Sequence, residues 1–108
     1  MNEHHDPSSL FSIQGKTALV TGGSRGIGLM IARGFVEAGA TVYITSRTAE
    51  VCDSAARELS ATGRCVSLPS DLSTMSGVEH LVREISEREE RLHILVNNAG
   101  AAWGEPIE

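Results

Sequence analysis

The run Thr21-Gly22-Gly23-Ser24-Arg25-Gly26-Ile27-Gly28 has the residue types and spacing to do chemistry, and that chemistry is anion binding. It lies between a short apolar run and a helix-periodic one, where a strand hands over to a helix. Glycines let the backbone turn tightly and approach an anion with no Cβ in the way. The first helical turn offers unpaired N–H groups, and the helix dipole adds about 0.3–1 kcal/mol for each nearby negative charge. A Walker loop is excluded because Gly28 is followed by Leu29 rather than Lys. G-x-G-x-x-G is excluded because the longer gap, Gly22 to Gly26, comes first. The plain alternative is a strand-to-helix corner with no ligand.

A second group stands at the end of the next apolar run, at Thr45-Ser46-Arg47-Thr48. An NAD site places Asp or Glu there to accept from the ribose 2′-OH. Here no acid occurs before Glu50, and Arg47 is placed to meet a 2′-phosphate, with Arg25 able to reach the same group. Such a charge-assisted bond is worth about 1.5–3 kcal/mol, or about ten- to a hundredfold in affinity. The expected cofactor is therefore NADP(H); the alternative is that Arg47 is an exposed loop arginine. Asp71 is either a helix-approach residue or an acceptor for an adenine amino group. Asn97 and Asn98 end an apolar run, where buried amides need partners. One could tie that strand to the backbone near Thr21, and a ligand contact is equally compatible.

The elements that position these groups alternate. Thr17 to Thr21, Thr41 to Thr45, Cys65 to Leu68 and His93 to Val96 read as strands. Ile27, Ile31 and Phe35 mark a first helix stopped at Gly39. Cys52, Ala55, Ala56 and Leu59 mark a second closed by Gly63. Ser73 is placed to cap a third, whose apolar stripe is Val78, Leu81, Val82 and Ile85. This β-α-β-α-β-α-β order predicts an α/β, Rossmann-type doubly wound parallel sheet of which only the first portion is present. Residues 1–14 read as a flexible tail and 15–108 as the nucleotide-binding domain, incomplete for want of its C-terminal half. The fourth strand is then expected to be an open apolar edge, which invites aggregation.

Bulk properties agree with one small globular domain: 108 residues, 41% hydrophobic and 21% charged, with net charge −5. There is no basic cluster, so nucleic acid is not an expected partner. No segment reads as a signal peptide or membrane span, and a cytoplasmic location is expected. Cys52 and Cys65 lack metal-ligand spacing and read as buried thiols. His4 and His5 read as solvated tail; His80, His93 and Trp103 are assigned no role.

Taken together, Thr21-Gly22-x-x-x-Gly26-x-Gly28, Asp71-Leu72 and Asn97-Asn98-Ala99-Gly100 resemble the short-chain dehydrogenase/reductase family, over about residues 11–104. The resemblance implies that Gly22, Gly26 and Gly28 line the pyrophosphate turn, with Ser24, Arg25 and Ile27 of the same turn among the cofactor-binding residues. It implies that Asp71 contacts adenine with Leu72 beside it. Asn98 would link the fourth strand to Thr21, and the Asn98-Ala99-Gly100 backbone would border a ribose. Arg25 and Arg47 match the basic positions of NADP-preferring members. Within the family, FSIQGKTALVTGGSRGIG with LVNNAGAAWG is similar to bacterial 3-oxoacyl-thioester reductases.

The resemblance also implies catalysis by a Ser and a Tyr-x-x-x-Lys motif downstream of Asn-Asn-Ala-Gly. The single tyrosine, Tyr43, lies in the second strand with Arg47 four positions on, so no catalytic residue is named. The implied function is NADP(H)-dependent hydride transfer to a ketone, with a 3-oxoacyl thioester as the suggested substrate. The chain is expected to supply the cofactor-binding half and to be inactive alone. The alternatives are a non-catalytic nucleotide-binding module or a truncated fragment without activity. A small carbonyl or alcohol is the expected partner, and homo-oligomers are expected at full length.

Overall fold

The computed structural model describes residues 13–98, in which four strands and three helices alternate. They are β1 (Thr17–Thr21), α1 (Gly26–Glu37), β2 (Thr41–Thr45), α2 (Ala49–Leu59), β3 (Arg64–Ser67), α3 (Met75–Arg88) and β4 (Ile94–Asn97). All strand pairs are parallel, in the order β3-β2-β1-β4. The chain moves outward from β1 to β3, then returns to the other flank of β1. That reversal falls between β1 and β4, and in open α/β sheets the crevice at such a switch point is where ligands bind.

Every residue of β1 is buried, because helices cover both of its faces. Side chains alternate across the pleat, so β1 and β2 feed two cores. Val20, Val42 and Ile44 pack with Ala32, Val36, Cys52, Ala56 and Leu59 of α1 and α2. Leu19 and Tyr43 point the other way, onto Leu81 and Ile85 of α3 and onto Leu68. Cys52 and Cys65 are buried free thiols, and burial next to Cys52 pushes the Cys65 thiol up to about 12.

The sheet is also tied at the end opposite the switch point. Tyr43 has no exposed surface, and its hydroxyl donates to Glu89 Oε2 at 2.6 Å. Thr17 Oγ1 donates to Glu89 Oε1, and the Thr17 N–H donates to His93 Nδ1 at 3.0 Å. Burial first, then the Glu89 carboxylate, raises the Tyr43 phenol above its ordinary value. The fold thus prefers the neutral phenol. Its contribution is complete below about pH 10 and is lost as pH rises through the folded value. Denaturant melts from pH 8 to 11 should therefore show alkaline destabilisation that Tyr43→Phe reduces.

Several expected boundaries and faces move. In α1 the buried positions are Gly28, Ala32 and Val36, while Ile27 is 67% exposed and Ile31 and Phe35 are half-buried. Both sets recur every four residues, so periodicity could not separate them. The smaller set wins because it lets the helix lie close on the sheet. In α3 Leu81 and Ile85 are buried, but Val78 and Val82 are 37% and 58% exposed. The N-cap of α3 is Thr74 rather than Ser73: its Oγ1 accepts from the Gly77 N–H at 3.0 Å. Ser73 is occupied with Asp71 instead.

α2 ends at Leu59, before Gly63. A Cβ on Gly63 would lie 2.9 Å from Val36 Cγ1, so this glycine permits the approach of β3 to α1 and does not stop α2. β3 starts and ends one residue earlier than expected, and β4 one residue later. Ile13 packs against the core, and the Gly15 N–H bonds to Gly39 O at 3.0 Å. Residues 1–12 of the expected tail, with His4 and His5, lie outside the described residues, as do Ala99, Gly100 and Trp103. Among the described residues β4 is an edge strand, and Leu95 on it is 61% exposed.

Candidate functional site

The glycine turn sits on the carboxyl end of β1, at the switch point. Gly22 adopts φ +69° and Gly26 φ +61°, left-handed conformations that suit glycine. The Gly22 N–H donates to Thr45 O at 2.9 Å, anchoring the turn to the end of β2. Gly28 is needed for a different reason. A Cβ there would stand 2.1 Å from Gly22 O and 2.9 Å from Asn98 Nδ2. A Cβ on Gly26 would meet nothing within 4 Å, so the turn is open on that side. The turn is tight underneath and vacant above, which is the shape of a cradle.

Its electrostatics fit an anion. Arg25, the N-cap of α1, is extended and offers no side-chain hydrogen bond, and the first turn of α1 holds no acidic residue. By contrast α3 is capped by Thr74, and α2 carries Glu50 in its first turn. The first-turn N–H groups of α1 are thus left without the side-chain partners such groups usually find. Arg25 and Arg47 are both exposed, and neither forms an ion pair among the described residues.

Thr21 joins the two strands at the switch point. Its Oγ1 accepts from the Asn98 N–H at 2.8 Å and lies 3.1 Å from Asn97 Oδ1 and 3.3 Å from Val96 O. β4 is therefore tied to Thr21, but through the threonine hydroxyl and the Asn98 backbone N–H rather than through a buried asparagine amide; Asn97 is exposed. Thr21 is 5% exposed, so Thr21→Val leaves the Asn98 N–H without this partner in a largely buried place. The expected cost is about 1–3 kcal/mol by urea melt, with faster amide exchange at Asn98.

Asp71 takes up the helix-approach role. Its Oδ1 accepts from the Ser73 N–H at 3.0 Å and from Ser73 Oγ at 2.6 Å. These bonds, with a smaller contribution from Arg47, hold its carboxyl below the ordinary value. Asp71 is exposed and Leu72 beside it half-buried, on the loop that follows β3. Sequence reasoning missed an open cleft of about 280 Å³ between α1 and α2, with Ser24, Leu29, Glu50, Ser54 and Glu58 among its lining. Glu50, Ser54 and Glu58 are all exposed, and on α2 alone they look like an ordinary solvated face. Only the crossing of α2 past the glycine turn makes them neighbours of Ser24.

Comparison with known proteins shows the family. The profile of the short chain dehydrogenase family matches residues 16–108. The chain belongs to that family. It is 54% identical over 98 residues to the rhamnolipids-biosynthesis 3-oxoacyl-[acyl-carrier-protein] reductase of Pseudomonas aeruginosa, covering 91% of this chain and 38% of that protein. The structure of the Pseudomonas aeruginosa RhlG/NADP active-site complex aligns with a TM-score of 0.79 at 49% identity, covering 88% of this chain and 40% of that one. An L-sorbose reductase from Gluconobacter frateurii, complexed with NADPH and L-sorbose, also gives 0.79 at 38% identity, covering 83% and 35%. This short-chain dehydrogenase chain thus spans under half the length of the relatives it matches. No described helix is long and apolar enough to cross a membrane.

Proposed function

We propose that this chain binds NADP(H), its pyrophosphate on the turn Gly22–Gly28 and its adenosine 2′-phosphate between Arg25 and Arg47. The observation that carries the reading is the vacant cradle: Gly26 faces open space, Gly28 has none, and the first turn of α1 has no acid or side-chain cap. Arg25 in the turn and Arg47 after β2 are exposed and form no ion pair among the described residues. The same arrangement favours a phosphate over the carboxylate-accepting site that NAD requires. Asp71 and Leu72 would lie along the adenine, and the Asn98-Ala99-Gly100 backbone along the second ribose.

Bound there, the nucleotide would supply the hydride, and the residues of this chain would bind and orient it. The 54% identity to a 3-oxoacyl-[acyl-carrier-protein] reductase supports an oxidoreductase that reduces a ketone, with 3-oxoacyl thioesters as the substrate class. A second reading is a nucleotide-binding module, in which the described residues supply no catalytic tyrosine. Tyr43 cannot serve, being fully buried with its hydroxyl on Glu89. On either reading the 108 residues alone bind nucleotide without turning over carbonyl compounds. The proposed location is the cytoplasm.

The test is a thermal melt with and without NADPH. At about one hundred times its dissociation constant the nucleotide should stabilise the fold by about 2.7 kcal/mol. A cooperative melt left unmoved by millimolar NADPH would contradict the proposal. Carbonyl-dependent NADPH oxidation by the same chain would sink the claim of inactivity and leave the binding claim standing.

A further inference from the structure

We propose that Glu50 limits how strongly this site prefers the phosphorylated cofactor, opposing the 2′-phosphate that Arg25 and Arg47 attract. The inference rests on the NADP(H) reading above. Glu50 is the acidic residue in the first turn of α2, reached from Arg47 through the N-cap Thr48 and Ala49. It lines the same cleft as Ser24, the residue that precedes Arg25 in the glycine turn. Arg25 follows Ser24 directly, and Arg47 stands three positions before Glu50, so each wall of the cleft adjoins one of the two arginines in sequence.

The second carboxylate in that cleft, Glu58, is already matched: Arg33 Nη2 bonds its Oε2 at 2.8 Å, across from α1 to α2. Glu50 has no such partner among the described residues, and it is exposed. Its charge is thus free to act on whatever anion settles at the cleft mouth. A carboxylate at a helix N-terminus stabilises that helix, which gives Glu50 a structural reason to be there. The same charge works against a phosphate dianion within about one Debye length, some 8 Å at physiological salt. NADH has no 2′-phosphate, so this opposition falls on NADP(H) selectively.

The test compares Glu50→Gln with the wild-type full chain by fluorescence titration with NADPH and NADH, at low and at high salt. Glutamine keeps the size and polarity of the side chain and removes its charge. The expected result is NADPH binding tightened by about two- to tenfold at low salt, NADH unchanged, and the gain shrinking at high salt. Glu50→Lys should tighten NADPH further, which keeps the test readable if the glutamine effect is small. Unchanged NADPH affinity in both variants would overturn the inference, as would equal tightening of NADPH and NADH. A wild-type chain that binds NADPH no better than NADH fails differently: it overturns the NADP(H) reading itself.

Discussion

Gly28→Ala should unfold or nearly unfold this domain, whereas Gly26→Ala should leave it folded and unable to bind nucleotide well. The added Cβ at position 28 would stand 2.1 Å from Gly22 O and 2.8 Å from Gly22 C, and both are backbone atoms. No rotamer change relieves a backbone clash, so α1 must lift from the turn. That movement disturbs the Ala32 and Val36 contacts on the sheet and the Asn98 amide beside the turn. The expected loss is about 3 kcal/mol or more, at the upper end for a small-to-large change at a packed site. At Gly26 the space is open, and the cost is the left-handed conformation alone, about 1–2 kcal/mol. Its new methyl group would enter the open side of the turn, which the proposed function gives to the phosphates. Circular-dichroism melts give the stabilities, and NADPH titration of the folded variant gives the binding. Equal stability losses at the two positions would show that the turn is not built as described.

Arg47→Asp should reverse the choice of cofactor. Removing the guanidinium forfeits a charge-assisted bond of about 1.5–3 kcal/mol, so NADPH affinity should fall about ten- to a hundredfold. The new carboxylate at the end of β2 also repels the 2′-phosphate and can accept from a ribose 2′-OH, so NADH affinity should hold or improve. The fold should be unaffected, because Arg47 is exposed and makes no ion pair among the described residues. Titrations with both nucleotides, beside a melt of the variant, separate a specificity effect from a folding one. A parallel fall for NADPH and NADH would place Arg47 outside the phosphate subsite.

Much of this could be read from residue order because α/β folds write themselves locally. Thr17 to Thr21 and Thr41 to Thr45 are short apolar runs between turn residues, and both strands appear with those bounds. The glycine turn was legible because it is contiguous. The facing of α1 was not, since Ile27, Ile31, Phe35 and Gly28, Ala32, Val36 share one period. Only packing on β1 decides between them, through a close approach that glycine and alanine permit. The role of Ser73 was misassigned because Ser73 and Thr74 are both good caps. Asp71 claims the first and leaves the second to Gly77. The α1–α2 cleft was hidden for a further reason: Ser24 and Glu50 meet only in the folded chain. The link from Thr21 to Asn97 and Asn98 spans most of the sequence; buried side-chain amides were expected to make it, but Asn97 is exposed and Asn98 bonds through its backbone N–H.

The most direct test of the central claim is the pair of dissociation constants for NADPH and NADH, measured on the wild-type chain in one buffer. An open, uncapped glycine turn with exposed Arg25 in it and exposed Arg47 after β2 predicts that NADPH binds at least about tenfold more tightly. Equal constants, or tighter binding of NADH, would contradict the assignment of these residues to a 2′-phosphate.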